Sequence, residues 1–237
     1  MQYSQSNVVN LISEMTKKTK SQSRYERKSK ISIGQSNFFK GVFNSLGFYK
    51  CYDNRNITSV YFDDHDYSFA QSNINGDFYR LKPRIRWYND NFENSNFEFK
   101  YKLGFNGFKL KDKSLDKDNI NFEEKLEFTR SKLLSNYNLN MSLGAKVIYE
   151  RAYFRHSSGI RITLDQNISA SLINFYNNKY EFNYKQIKLP FEVIEFKYPF
   201  ILDNFFRERI FSKLENFPIR LTKCSKYVES VVALNTL

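Results

Sequence analysis

YRLKPRIRWY at residues 79–88 and FEFKYKL at residues 97–103 carry the most informative pattern in the chain. In the first, Arg80, Lys82, Arg84 and Arg86 occupy alternate positions, with Leu81, Ile85 and Trp87 between them. In the second, Glu98, Lys100 and Lys102 alternate with Phe97, Phe99, Tyr101 and Leu103. Successive side chains of a strand point to opposite faces, so a period of two predicts two strands, each with one charged and one apolar face. The polar link NDNFENSN, 89–96, predicts a hairpin between them. In a half-exposed antiparallel sheet the polar face meets water and usually mixes both signs of charge. Here that face is mostly Lys and Arg, and the hairpin stacks Lys82, Arg84 and Arg86 beside Lys100 and Lys102. Something anionic has to compensate them.

The same alternation extends outward from this hairpin. RYERKSKISI (24–33), a run at about 57–62, VIYERAYF (147–154), GIRITLD (159–165) and FEVIEFKY (191–198) all read as strands, the last ended by Pro199. Between them lie helical patterns. Ser36 reads as the N-cap of NFFKGVFNSLGF, stopped at Gly47, and residues 113–146 read as a mixed helical region whose charges coat a solvated face. Asp203 reads as the cap of a helix through Leu214, and Ser225 as the cap of SKYVESVVAL. Residues 1–23, with Val8, Val9, Leu11, Ile12 and Met15, form an extension that is helical or disordered, and 24–237 form one domain without a dividing linker.

Composition removes several classes of protein. The 237 residues carry 37 Lys+Arg against 25 Asp+Glu, a formal charge of +12, and 18% of them are aromatic. With only 8 Gly and 4 Pro the chain is neither a disordered basic tail nor a fibrous repeat. Cys51 and Cys224 stand apart without metal-site spacing, and His65 and His156 fall in polar turns, so neither a zinc site nor a disulfide framework is expected. No segment has the roughly 20 apolar residues of a spanning helix, and the amino terminus lacks a signal-like apolar stretch, so a cytoplasmic chain is expected.

A closed barrel with apolar side chains outward beneath helices and charged side chains inward accounts for both faces. Buried cations without carboxylate partners are costly unless a ligand brings the charge, so a lumen of Lys and Arg suits polyphosphate. Glu26, Glu98, Glu195 and Asp165 share the register and offer oxygens to a hard divalent cation. The alternative is an exposed basic sheet. It would bind nucleic acid with a salt dependence set by its exposed cations, although no base-stacking platform is evident and nucleic acid is not expected as a partner.

RYERK (24–28), SVYFDD (59–64), KPRIRWY (82–88), FEFKYK (97–102), YERAYF (149–154), IRITLD (160–165), VIEFKY (193–198) and SKY (225–227), in that order, resemble the VTC domain, the polyphosphate polymerase domain of vacuolar transporter chaperone proteins within the triphosphate tunnel metalloenzymes. The resemblance implies an α+β fold, a closed eight-stranded antiparallel tunnel with flanking helices. It also implies an enzyme that transfers the γ-phosphoryl group of ATP to a growing inorganic polyphosphate chain with Mn2+ or Mg2+. Arg84, Arg86 and Lys226 would be catalytic, and Lys28, Lys82, Lys100, Lys102, Arg151, Arg161 and Lys197 would hold phosphates, with Glu195 and Glu26 holding the metal. The first motif is R-x-E-x-K instead of the E-x-E-x-K typical of hydrolytic and cyclase branches. Arg24 there removes a carboxylate and adds a cation, which favours a polymerase over a triphosphatase; a silent polyphosphate or inositol-phosphate receptor is the further alternative. Any coupling to the inner face of a membrane falls to a separate integral-membrane partner.

Overall fold

The computed structural model describes residues 5–18, 24–104, 106–115, 120–176, 179–182 and 186–234. In chain order the first elements are α1 (Gln5–Lys18), β1 (Arg24–Ile31), α2 (Ser36–Ser45), β2 (Tyr49–Asp63) and α3 (Ser68–Asn75). β3 (Tyr79–Tyr88), β4 (Asn91–Leu103), β5 (Asn106–Lys111) and α4 (Phe122–Tyr137) follow. The second half holds β6 (Ser142–Arg155), β7 (Arg161–Ser171), β8 (Ile173–Tyr176), β9 (Lys179–Phe182), β10 (Ile187–Lys188) and β11 (Glu192–Pro199). It ends with α5 (Asp203–Phe205), a π-helical turn (Phe206–Phe211), α6 (Ser212–Leu214) and α7 (Lys226–Ala233).

Eight strands form one antiparallel path in the order β1-β11-β7-β6-β2-β3-β4-β5, with β10 beside β7 and β8–β9 as a separate hairpin. This is a curled antiparallel sheet with flanking helices, the expected α+β class. Its two edges, β1 and β5, meet without a backbone ladder among the described residues, and the Lys100–Glu26 ion pair (2.9 Å) bridges β4 to β1. The expected closed barrel is thus a curled sheet whose edge strands share no backbone ladder among the described residues.

The outer face of the sheet is apolar, as its alternation requires. Leu81, Ile85, Phe97, Phe99 and Tyr101 pack under Ile12 and Met15 of α1 and Leu126 and Leu133 of α4. On the other side Ile162, Leu164, Ile194 and Phe196 pack under Phe39 and Phe43 of α2 and Phe206 of the π-helical turn. Each such Phe contributes roughly 3–5 kcal/mol relative to Ala. The helix α7 is placed differently. Its Tyr227 and Val231 pack with Tyr61, Ala145, Val147 and Val193, so it sits on the lumen side of the sheet and brings the 225–227 segment to the site. Among the described residues no helix is long and apolar enough to cross a membrane.

Several local expectations are corrected. The hairpin turn is only Asn89–Asp90, because 91–96 are already strand; Asn89 takes φ 53°, a left-handed conformation that Asn tolerates. β2 starts at Tyr49, well before the run at 57–62, and β6 starts at Ser142, inside the region read as helical. Ser36 is the first helical residue and not a cap; it is buried, and its hydroxyl accepts from Gln166 Nε2 at 2.6 Å. α4 is not a wholly solvated helix: Lys125 is 2% exposed and donates to the Ser95 carbonyl at 3.1 Å. Asp203 likewise makes no cap bond, and its carboxylate instead accepts from Arg27, Tyr198 and Arg207.

Candidate active site

The strand registers carry the charged faces inward. Across β3 and β4, Arg84 faces Glu98, Lys82 faces Lys100 and Arg80 faces Lys102. Across β1 and β11, Lys28 faces Glu195 and Glu26 faces Lys197, while Arg151 of β6 faces Asp165 of β7. These rows enclose a cavity of about 230 Å³. Of the expected residues, Lys28, Lys82, Arg84, Arg86, Lys100, Arg151, Lys197, Lys226, Glu26 and Glu195 line it. Lys102 lines a second chamber of about 320 Å³ together with Arg80 and Lys223. The two chambers share Glu26, Lys28, Lys82, Lys100 and Ser225, which form a ring between them. Arg161 is not brought in: it opens β7 opposite Lys197, exposed at the strand end.

The two arginines of β3 are held in unlike ways. Arg84 donates through Nη2 and Nε to Glu98 Oε2 (2.8 and 3.2 Å) and through Nη1 to Tyr61 Oη (3.2 Å), and burial of Glu98 is outweighed by Arg84, Arg86 and Lys109, which hold it at about 2. Arg86 donates only to hydroxyls, Ser59 Oγ at 2.9 Å and Tyr149 Oη at 3.2 Å. Arg151 grips Asp165 with two bonds, 2.5 and 2.7 Å, and Lys226 pairs with the same carboxylate. Burial would raise Asp165, but these two cations hold it at about 2. Lys226 also lies over the Tyr149 ring, 4.8 Å from its centroid. Ser225 makes no cap bond to α7; its hydroxyl accepts from Lys82 Nζ at 2.8 Å.

Among the described residues Lys82, Arg86 and Lys102 make no ion pair, and they run from one chamber into the other. Burial, reinforced by Lys100 and Lys28, pushes Lys82 well below the usual lysine range. Burial also lowers Lys100; Glu26 pulls back and Lys28 pushes further, leaving it at about 7. Lys102 and Lys197 are lowered as well, chiefly by burial. Uncompensated buried charge of this kind is the feature that calls for an anionic ligand.

Glu26 and Glu195 are diagonal neighbours on β1 and β11. Burial opposes the ionised form of each, yet Lys100 and Lys28 hold Glu26 down, and Lys197 and Lys28 hold Glu195 down. Two ionised carboxylates suit a hard divalent cation as part of a shell of six or more oxygens. Among the described residues no group of three or more acidic, His or Cys side chains gathers to complete such a shell, so phosphate and water oxygens would supply the rest.

Some residues of the site escaped the sequence reading. Lys109 of β5 lines the cavity and pairs with Glu98 at 2.5 Å. Its signal was the alternation of Phe108 and Leu110 with Lys109 and Lys111. Asp63 is a structural group: its carboxylate accepts the backbone N–H groups of Phe69 (2.9 Å) and Ala70 (3.0 Å) at the start of α3 and the Tyr227 hydroxyl (2.6 Å). Neither histidine lies in the site: the His65 side chain is 99% exposed, and His156 bonds Ser158 within its own turn.

A family model described as VTC domain matches residues 4–235. Among solved structures, PH1012 from Pyrococcus horikoshii matches with a TM-score of 0.50 and 12% identity, over 88% of this chain and 99% of its own. A candidate adenylate cyclase from Vibrio parahaemolyticus matches with a TM-score of 0.50 and 13% identity, over 87% and 96%. HpAC1 from Hippeastrum, described with a dominant triphosphatase activity, gives 0.48 and 14% over 89% and 96%. These likenesses are of fold. No curated protein matches the chain.

Proposed function

The chain belongs to the VTC domain family, and from that premise we propose that it is an ATP-dependent polyphosphate polymerase. The observation that carries the reading is the pair of chambers that share Lys28, Lys82 and Lys100, with Lys82, Arg86 and Lys102 making no ion pair among the described residues. A hydrolase needs room for one triphosphate and a water. A polymerase needs a cationic track for donor and acceptor end to end, and two adjoining cationic chambers support that reading.

In this reading the triphosphate of ATP occupies the chamber of Arg84, Arg86, Arg151 and Lys226, and the acceptor chain enters past Lys102 and Arg80. A terminal oxygen of the acceptor attacks the γ-phosphorus, the bond from that phosphorus to the β,γ-bridging oxygen breaks, and ADP leaves as the chain gains one phosphate. Arg86 and Lys226 stabilise the charge spread over the transferring group, and the tunnel walls hold attacking and leaving oxygens in line. A divalent cation on Glu26 and Glu195, Mn2+ or Mg2+, would neutralise phosphate charge there. The acceptor oxygen is already ionised, so no general base is required.

The test is incubation of the purified protein with ATP, Mn2+ and a short polyphosphate primer, with products resolved by length. ADP release matched one for one by chain growth is expected. Orthophosphate release without growth would make the chain a triphosphatase, and tight binding of polyphosphate without turnover would make it a receptor.

A further inference from the structure

Beyond the last cation of the first chamber the tunnel wall continues into an aromatic surface that the phosphate reading does not use. Tyr149 and Arg151 line the cavity, and Tyr153 follows two residues on, on the same face of β6. Its hydroxyl lies within electrostatic reach of Arg151, Arg55, Tyr149 and Tyr88, and Tyr88 also lines the cavity. Across the ladder Tyr52 faces Tyr153 and Arg55 faces Arg151. The two tyrosine rings meet edge to face, 5.8 Å between centroids, and the Arg55 guanidinium stands 5.8 Å from one ring centre and 5.9 Å from the other. Two register shifts in β2, between Lys50 and Tyr52 and between Tyr52 and Arg55, turn this stretch out of the regular ladder; bulges at rims commonly aim side chains at a site.

Among the described residues Tyr153 is half-buried, and the two groups beside it stand open. Tyr52 is 59% exposed, Arg55 is exposed, and neither belongs to a core cluster. Accessible aromatic rings grouped with an arginine offer flat faces for stacking, and they begin where the cation-lined cavity ends. An inorganic triphosphate has no group that could use them, whereas a nucleotide carries an aromatic base at the far end of its phosphates. We propose that Tyr52, Tyr153 and Arg55 form the platform on which the base of the donor nucleotide stacks, so that this chain selects a nucleoside triphosphate over a bare phosphate chain. This rests on the triphosphate reading of the tunnel. Stacking on a π face tolerates any base, so preference follows ring size, purine over pyrimidine, without hydrogen-bond readout.

Binding of ATP and of inorganic tripolyphosphate to the wild type, to Tyr52→Ala and to Tyr52→Ala/Tyr153→Ala, measured by calorimetry at one salt concentration, separates the readings. One lost stacking contact of about 1–3 kcal/mol corresponds to roughly 5- to 150-fold weaker ATP binding, with tripolyphosphate affinity held within about twofold. Tyr52→Phe, which keeps the ring, is expected to retain ATP affinity. Equal losses for both ligands, or no loss for either, would overturn the platform while leaving the tunnel reading intact. Failure of the wild type to bind either ligand would overturn the tunnel reading and the platform with it.

Discussion

Arg84 and Arg86 sit two residues apart on one face of β3, yet they contribute differently to the fold. Arg84 completes a buried ion pair with Glu98, so Arg84→Ala leaves a carboxylate that is 2% exposed with Lys109 as its remaining partner. Orphaning a buried charge outright costs about 3–5 kcal/mol; Lys109 keeps the cost below that. Among the described residues Arg86 hydrogen-bonds only hydroxyls, so its removal relieves a desolvated cation and loses only a longer-range attraction to Glu98. Arg84→Ala is therefore expected to lower the midpoint of thermal unfolding, and Arg86→Ala to leave it unchanged or raise it. Both are expected to weaken tripolyphosphate binding at least tenfold, the loss expected from roughly 1.5–3 kcal/mol of charge-assisted hydrogen bonding. Melting curves with and without tripolyphosphate check this. An Arg86→Ala protein much less stable than Arg84→Ala without ligand would mean that Arg86 is structural.

At the scale of elements, α7 turns a sheet into a site, and a single glycine permits it. A Cβ at Gly144 on β6 would lie 2.5 Å from the Tyr227 hydroxyl and 3.1 Å from a ring carbon. Tyr227 is 1% exposed, stacks on Tyr61 with centroids 4.6 Å apart and donates to Asp63, so it has no room to yield. Gly144→Ala is expected to cost roughly 1–3 kcal/mol of stability through overpacking. It is also expected to displace Lys226 and weaken tripolyphosphate binding although no charge has changed, while Gly41→Ala, on α2 where nothing lies within 4 Å, leaves binding intact. Equal tripolyphosphate affinities would show that α7 does not position Lys226. The strands of the site were legible because a period of two survives in β1, β3, β4, β6, β7 and β11. β5 was missed because Asn106–Lys111 is only 6 residues long, and the exposed half of β2 was missed because its alternation is broken by the register shifts. Arg161 entered the lumen through the resemblance, and a matching motif does not tell where along a strand the cavity ends. The inward placement of α7 had no local signal, since an apolar stripe on a helix does not say which side of a sheet it will cover.

For the whole molecule the excess of +12 is a binding property and not a feature of the fold. Ten cations line the first chamber against Glu26 and Glu195, with Glu98 and Asp165 in contact behind them. Part of that charge is suppressed before a ligand arrives, since burial and mutual repulsion lower Lys82, Lys100, Lys102 and Lys197. A polyphosphate raises each of them again by supplying opposite charge, so binding takes up protons wherever the pH lies between a lysine's free and bound values. For Lys100 the free value is about 7. Below it the lysine is already charged and affinity is full; above it each binding event must also bind a proton, and affinity falls by up to about tenfold per pH unit for each linked group. On the acid side the terminal phosphates themselves take up protons near about pH 6. Tripolyphosphate affinity is thus expected to peak between about pH 6 and 7 and to decline toward pH 9, with Lys100→Met flattening the alkaline limb. At a hundredfold excess over its dissociation constant the ligand adds about 2.7 kcal/mol of stability, roughly 5–10 °C in the unfolding midpoint of a chain this size. Melting curves across that pH range read both quantities. An upward shift that stays constant from pH 6.5 to 9 would mean that the lumen lysines are fully charged before the phosphate enters.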